Sequence, residues 1–194
     1  MEVELKMSGI QRKGNGQVTE FTLPEQPEYK ILVISDTHGA NDLLNSALEK
    51  EYPVDLVIHC GDSQGNPEKA VNARRFPVTV AAVCGNCDDS RDFPQEILVH
   101  AGTDLIWAVH GNRFHVVWEE RKVTLLEEAV KRGADVALYG HTHVPDIDPH
   151  PEKNVLIVNP GSALRPKQAS RIPTYAVLTL SRGKTPGAAL RKLL

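Results

Sequence analysis

Two carboxylates, one carboxamide and four imidazoles recur in this chain in settings that suit metal binding. Asp36 and His38 lie in an Asp-Thr-His triplet; Asp62 follows Gly61 and Asn86 follows Gly85. His110 precedes Gly111, and His141 and His143 share Gly140-His141-Thr142-His143. An all-oxygen shell would suit Ca²⁺ or Mg²⁺, and a thiolate-rich shell would suit structural Zn²⁺. Mixed nitrogen and oxygen donors favour Mn²⁺, Fe²⁺, Co²⁺, Ni²⁺ or Zn²⁺. Seven donors exceed what one such ion needs if it must also hold a water. They suffice for two ions about 3.5–4 Å apart sharing a carboxylate, an arrangement that acidifies water and clamps phosphoryl oxygens.

The elements that must position these residues follow from hydropathy. Ile31-Leu32-Val33-Ile34 is an unbroken apolar run ending at Ser35-Asp36, as a strand buried on both faces would read. Asn41 to Lys50 places Leu43, Leu44, Ala47 and Leu48 at helical spacing, with Asn41 as the expected N-cap. Asp55 to Ile58 repeats the strand signal before Gly61-Asp62, and a short helix is expected from Pro67 to Arg75. Val78 to Cys84 is a third run, stopping at Gly85-Asn86. Glu96 to His100 and Asp104 to Val109 read as a hairpin that delivers His110. A helix over Val123 to Lys131 is closed by Gly133, and strands follow at Val136 to Tyr139, Val155 to Val158 and Tyr175 to Leu180. Asn159-Pro160-Gly161-Ser162 makes a turn between the last two. Every donor thus falls just past a strand C-terminus, the edge of an α/β sheet where loops converge on ligands. The rhythm predicts an α/β fold, with mixed sheets sandwiched between helices.

Residues 1–28 stand outside this rhythm, leaving 29–194 as one domain. Lys13-Gly14-Asn15-Gly16 is a turn signal, so the extension reads as a hairpin, with a disordered leader as the other reading. The chain has 194 residues, 41% of them hydrophobic, which suits a single core. Its formal charge of −3 offers no basic footprint for nucleic acid. No run approaches the roughly 20 apolar residues of a membrane span, and Met1 to Lys6 lacks the start of a secretory signal. Cys60, Cys84 and Cys87 form an odd, sparse set that fits a reducing cytoplasm.

Taken in order, Asp-x-His, Gly-Asp, Gly-Asn, His-Gly and Gly-His-Thr-His resemble the motifs of the calcineurin-like metallophosphoesterases. The chain is most similar to their small bacterial and archaeal phosphodiesterases of the YfcE type, from Lys30 to about Leu180. The resemblance implies a two-sheet sandwich flanked by helices, in four α/β/β/α layers. It assigns Asp36, His38 and His143 to one ion, Asn86, His110 and His141 to the other, and Asp62 to both. The implied cofactors are two divalent transition-metal ions, Mn²⁺ first, with Ni²⁺, Co²⁺, Fe²⁺ or Zn²⁺ as alternatives. The implied reaction is attack of a metal-bridging hydroxide on a small phosphodiester, with Asp62, Asn86 and Cys87 at the chemistry. Relatives often self-associate, so a homo-oligomer is in view. The alternative function is a non-catalytic scaffold on the same fold, similar to the retromer subunit that has lost part of its metal set. The intact donor set here favours the enzyme.

Two departures matter. Many relatives carry His after Gly-Asn as leaving-group acid, and this chain has Cys87, whose thiol matches neutral pH less well. His110-Gly111-Asn112 replaces the common His-Gly-His, so Asn112 becomes the substrate contact to examine. Arg91 can meet a phosphate bidentately or form a surface ion pair, the more ordinary role. His59 reads as a buried histidine that orients a donor rather than as a ligand. Cys60 and Cys84 read as small buried hydrophobes, and Trp107 and Trp118 as packing residues, Trp118 with partial exposure at a substrate rim or subunit contact as the alternative.

Overall fold

The computed structural model describes residues 11–14, 17–119 and 122–194. Twelve strands and three helices occur among these residues. The strands form two sheets. One orders β1 (Gln11–Gly14), β2 (Val18–Thr22), β6 (Glu96–Ala101), β7 (Asp104–Val109), β8 (Val136–Leu138), β10 (Val155–Asn159) and β9 (Asp146–His150). The other orders β12 (Gly187–Lys192), β11 (Thr174–Ser181), β3 (Glu28–Ile34), β4 (Leu56–His59) and β5 (Val80–Ala82).

Strand alternation divides the apolar side chains between layers. Ile31 and Val33 of β3 join Ile58 of β4, Ile106 of β7 and Leu138 of β8 in the core between the sheets. Leu32 and Ile34 point the other way, onto Leu44, Ala47 and Leu48 of α1 (Leu43–Glu51). On the far side, Trp107, Ala137 and Ile157 pack against Leu125 and Ala129 of α3 (Val123–Arg132). The layers therefore run helix, sheet, sheet, helix, as expected. Both sheets are mixed: β3, β4 and β5 run parallel, as do β7, β8 and β10, and the remaining pairings are antiparallel except that of β2 with β6.

Local departures have local causes. The helix expected to Arg75 is one turn only, α2 (Pro67–Ala70), capped by Asn66 Oδ1 on the Lys69 N–H. Asn72 ends it, because its side chain takes the Arg75 N–H in a competing turn. Asn41 does not cap α1; Asp42 occupies that position, without a side-chain cap. Asn41 instead accepts from Thr37 Oγ1 at 2.6 Å and donates to the Ser63 carbonyl at 3.2 Å, tying two loops together. Strands β9 and β12 gave no sequence signal. Both lie at sheet edges, where one polar flank is solvated and a proline such as Pro149 is tolerated. The N-terminal β1–β2 pair is antiparallel, and β2 continues the larger sheet through parallel pairing with β6. The expected turn at Asn15-Gly16 and the segment Met1 to Lys6 lie outside the described residues.

Candidate metal centre

The C-terminal ends of β3, β4, β5, β7 and β8 meet at one edge of the sandwich, bringing the candidate donors together. The loops that carry them approach very closely. A Cβ on Gly85 would collide with the backbone nitrogen and Oδ1 of Asp62, and one on Gly140 would collide with Ser35 Oγ. Only glycine lets these turns nest. Five of the seven donors, Asp36, His38, Asp62, His141 and His143, have φ between 45° and 66°. Left-handed backbone is uncommon for residues with side chains and clusters at functional sites.

Hydrogen bonds fix the imidazole tautomers. His110 Nδ1–H donates to the Cys60 carbonyl at 2.8 Å, His143 Nδ1–H to the Arg165 carbonyl at 2.7 Å, and His38 Nδ1–H to Gln64 Oε1 at 2.9 Å. Each ring therefore presents a bare Nε2 lone pair, the arrangement seen in metal-ligating histidines. His110 Nε2 faces Asn86 Oδ1 at 3.0 Å and Asp62 Oδ1 at 3.5 Å. His143 Nε2 faces Asp36 Oδ1 at 3.1 Å and His38 Nε2 at 3.3 Å. Lone pair faces lone pair in each case, which holds together only with a proton or a cation between the atoms.

Asp36 shows the same demand from the carboxylate side. Its Oδ2 accepts from Ser35 Oγ at 2.6 Å and the His141 N–H at 3.2 Å, while the buried Oδ1 has no hydrogen-bond donor. Burial would raise its pKa, but the contact with His143 and the charge of His110 outweigh this and hold it below the usual carboxylate range. A buried anion with one orphaned oxygen beside bare imidazole nitrogens fits a divalent cation. Ligand atoms of Asp36, His38 and His143 lie within 4.8 Å of one another, and so do those of Asp36, Asp62 and His110. His141 falls in neither trio; its ring stands edge-on to His110 with centroids 5.1 Å apart. Burial, then the charge of His110, lowers its pKa, so its imidazole is neutral and able to coordinate.

The profile of the calcineurin-like phosphoesterase superfamily domain matches residues 29–183. The chain belongs to that superfamily. A probable metallophosphoesterase of Bacillus subtilis, YsnB, is 38% identical over 156 residues, covering 77% of this chain and 83% of the relative. The solved structure of an archaeal phosphodiesterase is 26% identical with a TM-score of 0.59, covering 84% of this chain and 99% of that one. Vacuolar Protein Sorting 29 from Cryptosporidium parvum shares the fold, at 18% identity and a TM-score of 0.64, covering 86% of this chain and 98% of that one.

Within this calcineurin-like frame the remaining residues fall into place. Arg91 takes the surface ion pair: Nη2 lies 2.6 Å from Asp89 Oδ2, and the side chain is largely exposed. Asn112 lies exposed in the turn after His110. Cys87 is exposed, its N–H donates to Asp62 Oδ1 at 2.8 Å, and its thiol falls in a trio with His38 and Asp62. Partial burial, then the Asp62 carboxylate, push this thiol up to about 11, so it is protonated at neutral pH. His59 is fully buried. It accepts the Gly61 N–H on Nδ1 at 3.2 Å and meets Thr37 Oγ1 through Nε2 at 3.0 Å, bracing the turn before Asp62. Burial lowers its pKa to about 4, keeping it neutral.

Three supports escaped the sequence reading. Asp88 binds the N–H groups of Gly85 at 2.9 Å and Gln64 at 2.6 Å, joining the Asn86 and Asp62 loops. Asn159 donates to the Gly140 carbonyl at 3.0 Å and accepts the Gly161 N–H at 2.8 Å, bracing the His141 loop. Lys167 is exposed and lies close enough for its positive charge to reach both His141 and His143. The signal for Asn159 was Asx-turn chemistry, an amide oxygen binding the N–H two residues on, whereas Asp88 reaches back to the Gly85 N–H. Trp118 is not a packing residue: it is 85% exposed, whereas Trp107 is fully buried with its Nε1–H on Glu96.

Proposed function

We propose that this chain hydrolyses a small phosphodiester using two divalent metal ions. Asp36, His38 and His143 would hold one ion and Asn86, His110 and His141 the other, with Asp62 shared. The observation that carries the reading is the convergence of bare Nε2 atoms on Asp36 Oδ1 and Asp62 Oδ1, with no donor for Asp36 Oδ1. Ions bound there would acidify water and offset charge on the phosphoryl group. The protein's own part is to hold these donors rigidly and to present Lys167 as a cation for the substrate's phosphate. The protonated Cys87 thiol can donate a hydrogen bond but is a weak acid for a departing alkoxide. A substrate with a good leaving group suits this site, and the likeness to an archaeal phosphodiesterase supports a diester. A scaffold would have no need of so complete a donor set.

The test is to strip metal from the purified protein. Mn²⁺, Ni²⁺, Co²⁺, Zn²⁺ and Mg²⁺ are then titrated in while hydrolysis of a chromogenic diester and its matching monoester is followed. Metal-stimulated turnover, fastest with Mn²⁺ and faster on the diester, is expected. Absence of both turnover and bound metal by elemental analysis overturns the reading, and a faster monoester overturns the diester preference.

A further inference from the structure

We infer that the cleft beside His141 seats a planar aromatic group carried on the substrate's phosphate, with Trp118 as its stacking surface. The inference rests on the phosphoesterase reading and adds the substrate's class. The open cleft offers about 690 Å³ and is walled by Val116, Trp118, Tyr139, Val144 and Pro145. That volume lies in the range of organic-ligand sites and far exceeds what a phosphate alone fills. His141 and Thr142 line it too, so the cleft reaches the donor set at His141.

Its apolar surface is bare. Trp118, Val117 and Val144 are 85%, 53% and 40% exposed, although this fold buries its other tryptophan completely. An exposed indole offers a π-face to any aromatic ring and works without base-specific hydrogen bonds. Lys167 lines the same cleft and has no ion-pair partner among the described residues. The other lysine there, Lys122, is committed to Asp146 and Asp148. The cleft therefore combines an aromatic wall with the Lys167 cation beside His141. That pairing matches an aromatic group tethered to an anionic phosphate. A nucleobase and a simple aryl ring share this chemistry.

Two measurements test it. Metal-free protein is titrated with adenosine 5′-monophosphate, phenyl phosphate and inorganic phosphate by isothermal titration calorimetry. Both aromatic phosphates, or the one that is the native type, bind the wild type more tightly than inorganic phosphate; that advantage is lost in Trp118→Ala and kept in Trp118→Phe. In the metal-loaded enzyme, thymidine 5′-p-nitrophenyl phosphate, bis(p-nitrophenyl) phosphate and methyl p-nitrophenyl phosphate share one leaving group. Trp118→Ala raises KM for the nucleoside or aryl diester about tenfold relative to the methyl diester. An equal rise for all three seats the p-nitrophenyl leaving group itself on Trp118, whereas unchanged KM for all three overturns the inference. So does a Trp118→Ala protein that binds the phosphates normally but no longer self-associates in sedimentation, since the surface then belongs to a second copy. Trp118-dependent binding without metal-dependent hydrolysis of any ester sinks the phosphoesterase reading and leaves the aromatic seat standing.

Discussion

At the scale of single residues the centre is held in conformations that the chain alone would avoid. Left-handed φ at Asp36, His38, Asp62, His141 and His143 costs on the order of 1–3 kcal/mol per residue, and surrounding contacts must hold it in place. His59 is one such contact, because its neutral ring joins Thr37 to the Gly61 N–H. Asp62 differs in kind, since its Oδ1 faces His110 directly. Asp62→Asn is therefore expected to lower kcat well over a hundredfold while leaving the melting temperature near that of the wild type. His59→Ala should lower activity roughly 10–100-fold at most, as bracing residues around metal ligands do. It should also lower stability by about 1–3 kcal/mol, because the Gly61 N–H loses its buried partner. Turnover and thermal melts on both variants check this, and equal losses of activity would remove Asp62 from the shared position. The donors themselves were legible in the sequence because each is a chemically distinctive residue at the end of an apolar run. Lys167 was not, and Trp118 reached the rim only as an alternative reading, because only the tertiary path of two distant loops brings them beside His141.

At the scale of elements, the site depends on how tightly strand-end loops can nest. Gly85 is informative because its φ is not in the left-handed region, so alanine is conformationally acceptable there and only the collision with Asp62 opposes it. The atoms in the way are a backbone nitrogen and a carboxylate already held by the Cys87 N–H, which cannot swing aside as a flexible side chain would. Gly85→Ala is expected to destabilise the protein by about 1–3 kcal/mol or more and to weaken metal binding as the loops part. Denaturant unfolding and isothermal titration with Mn²⁺ check both effects, and an unchanged affinity would mean that the loops adapt. The same scale shows why element reading succeeded unevenly. The β6–β7 hairpin is bounded by the turn at Gly102 and α3 carries a clean period of 3.6 residues, so their limits lay close to expectation. Helix α2 stopped early because Asn72 offers the backbone a competing hydrogen bond, and the edge strands β9 and β12 bury too little to show alternation.

At the scale of the whole molecule, the core does not start where the superfamily match starts. The match begins at residue 29, yet Phe21 and Leu23 are buried in the core between the sheets. Strand β2 also covers the flank of β6 through the register Val18↔Glu96 to Thr22↔His100. We propose that residues 17–28 fold with the remainder as one cooperative unit rather than as an appendage. Phe21→Ala would then leave a cavity between the sheets and cost about 3–5 kcal/mol in chemical denaturation. Removing residues 1–28 would do more, since it deletes that packing and uncovers a strand edge able to pair with other chains. The truncated protein should unfold at lower denaturant and form concentration-dependent aggregates in sedimentation. A truncated protein that unfolds at the same midpoint as the full chain and stays dispersed would show that β2 only lies against a fold complete without it.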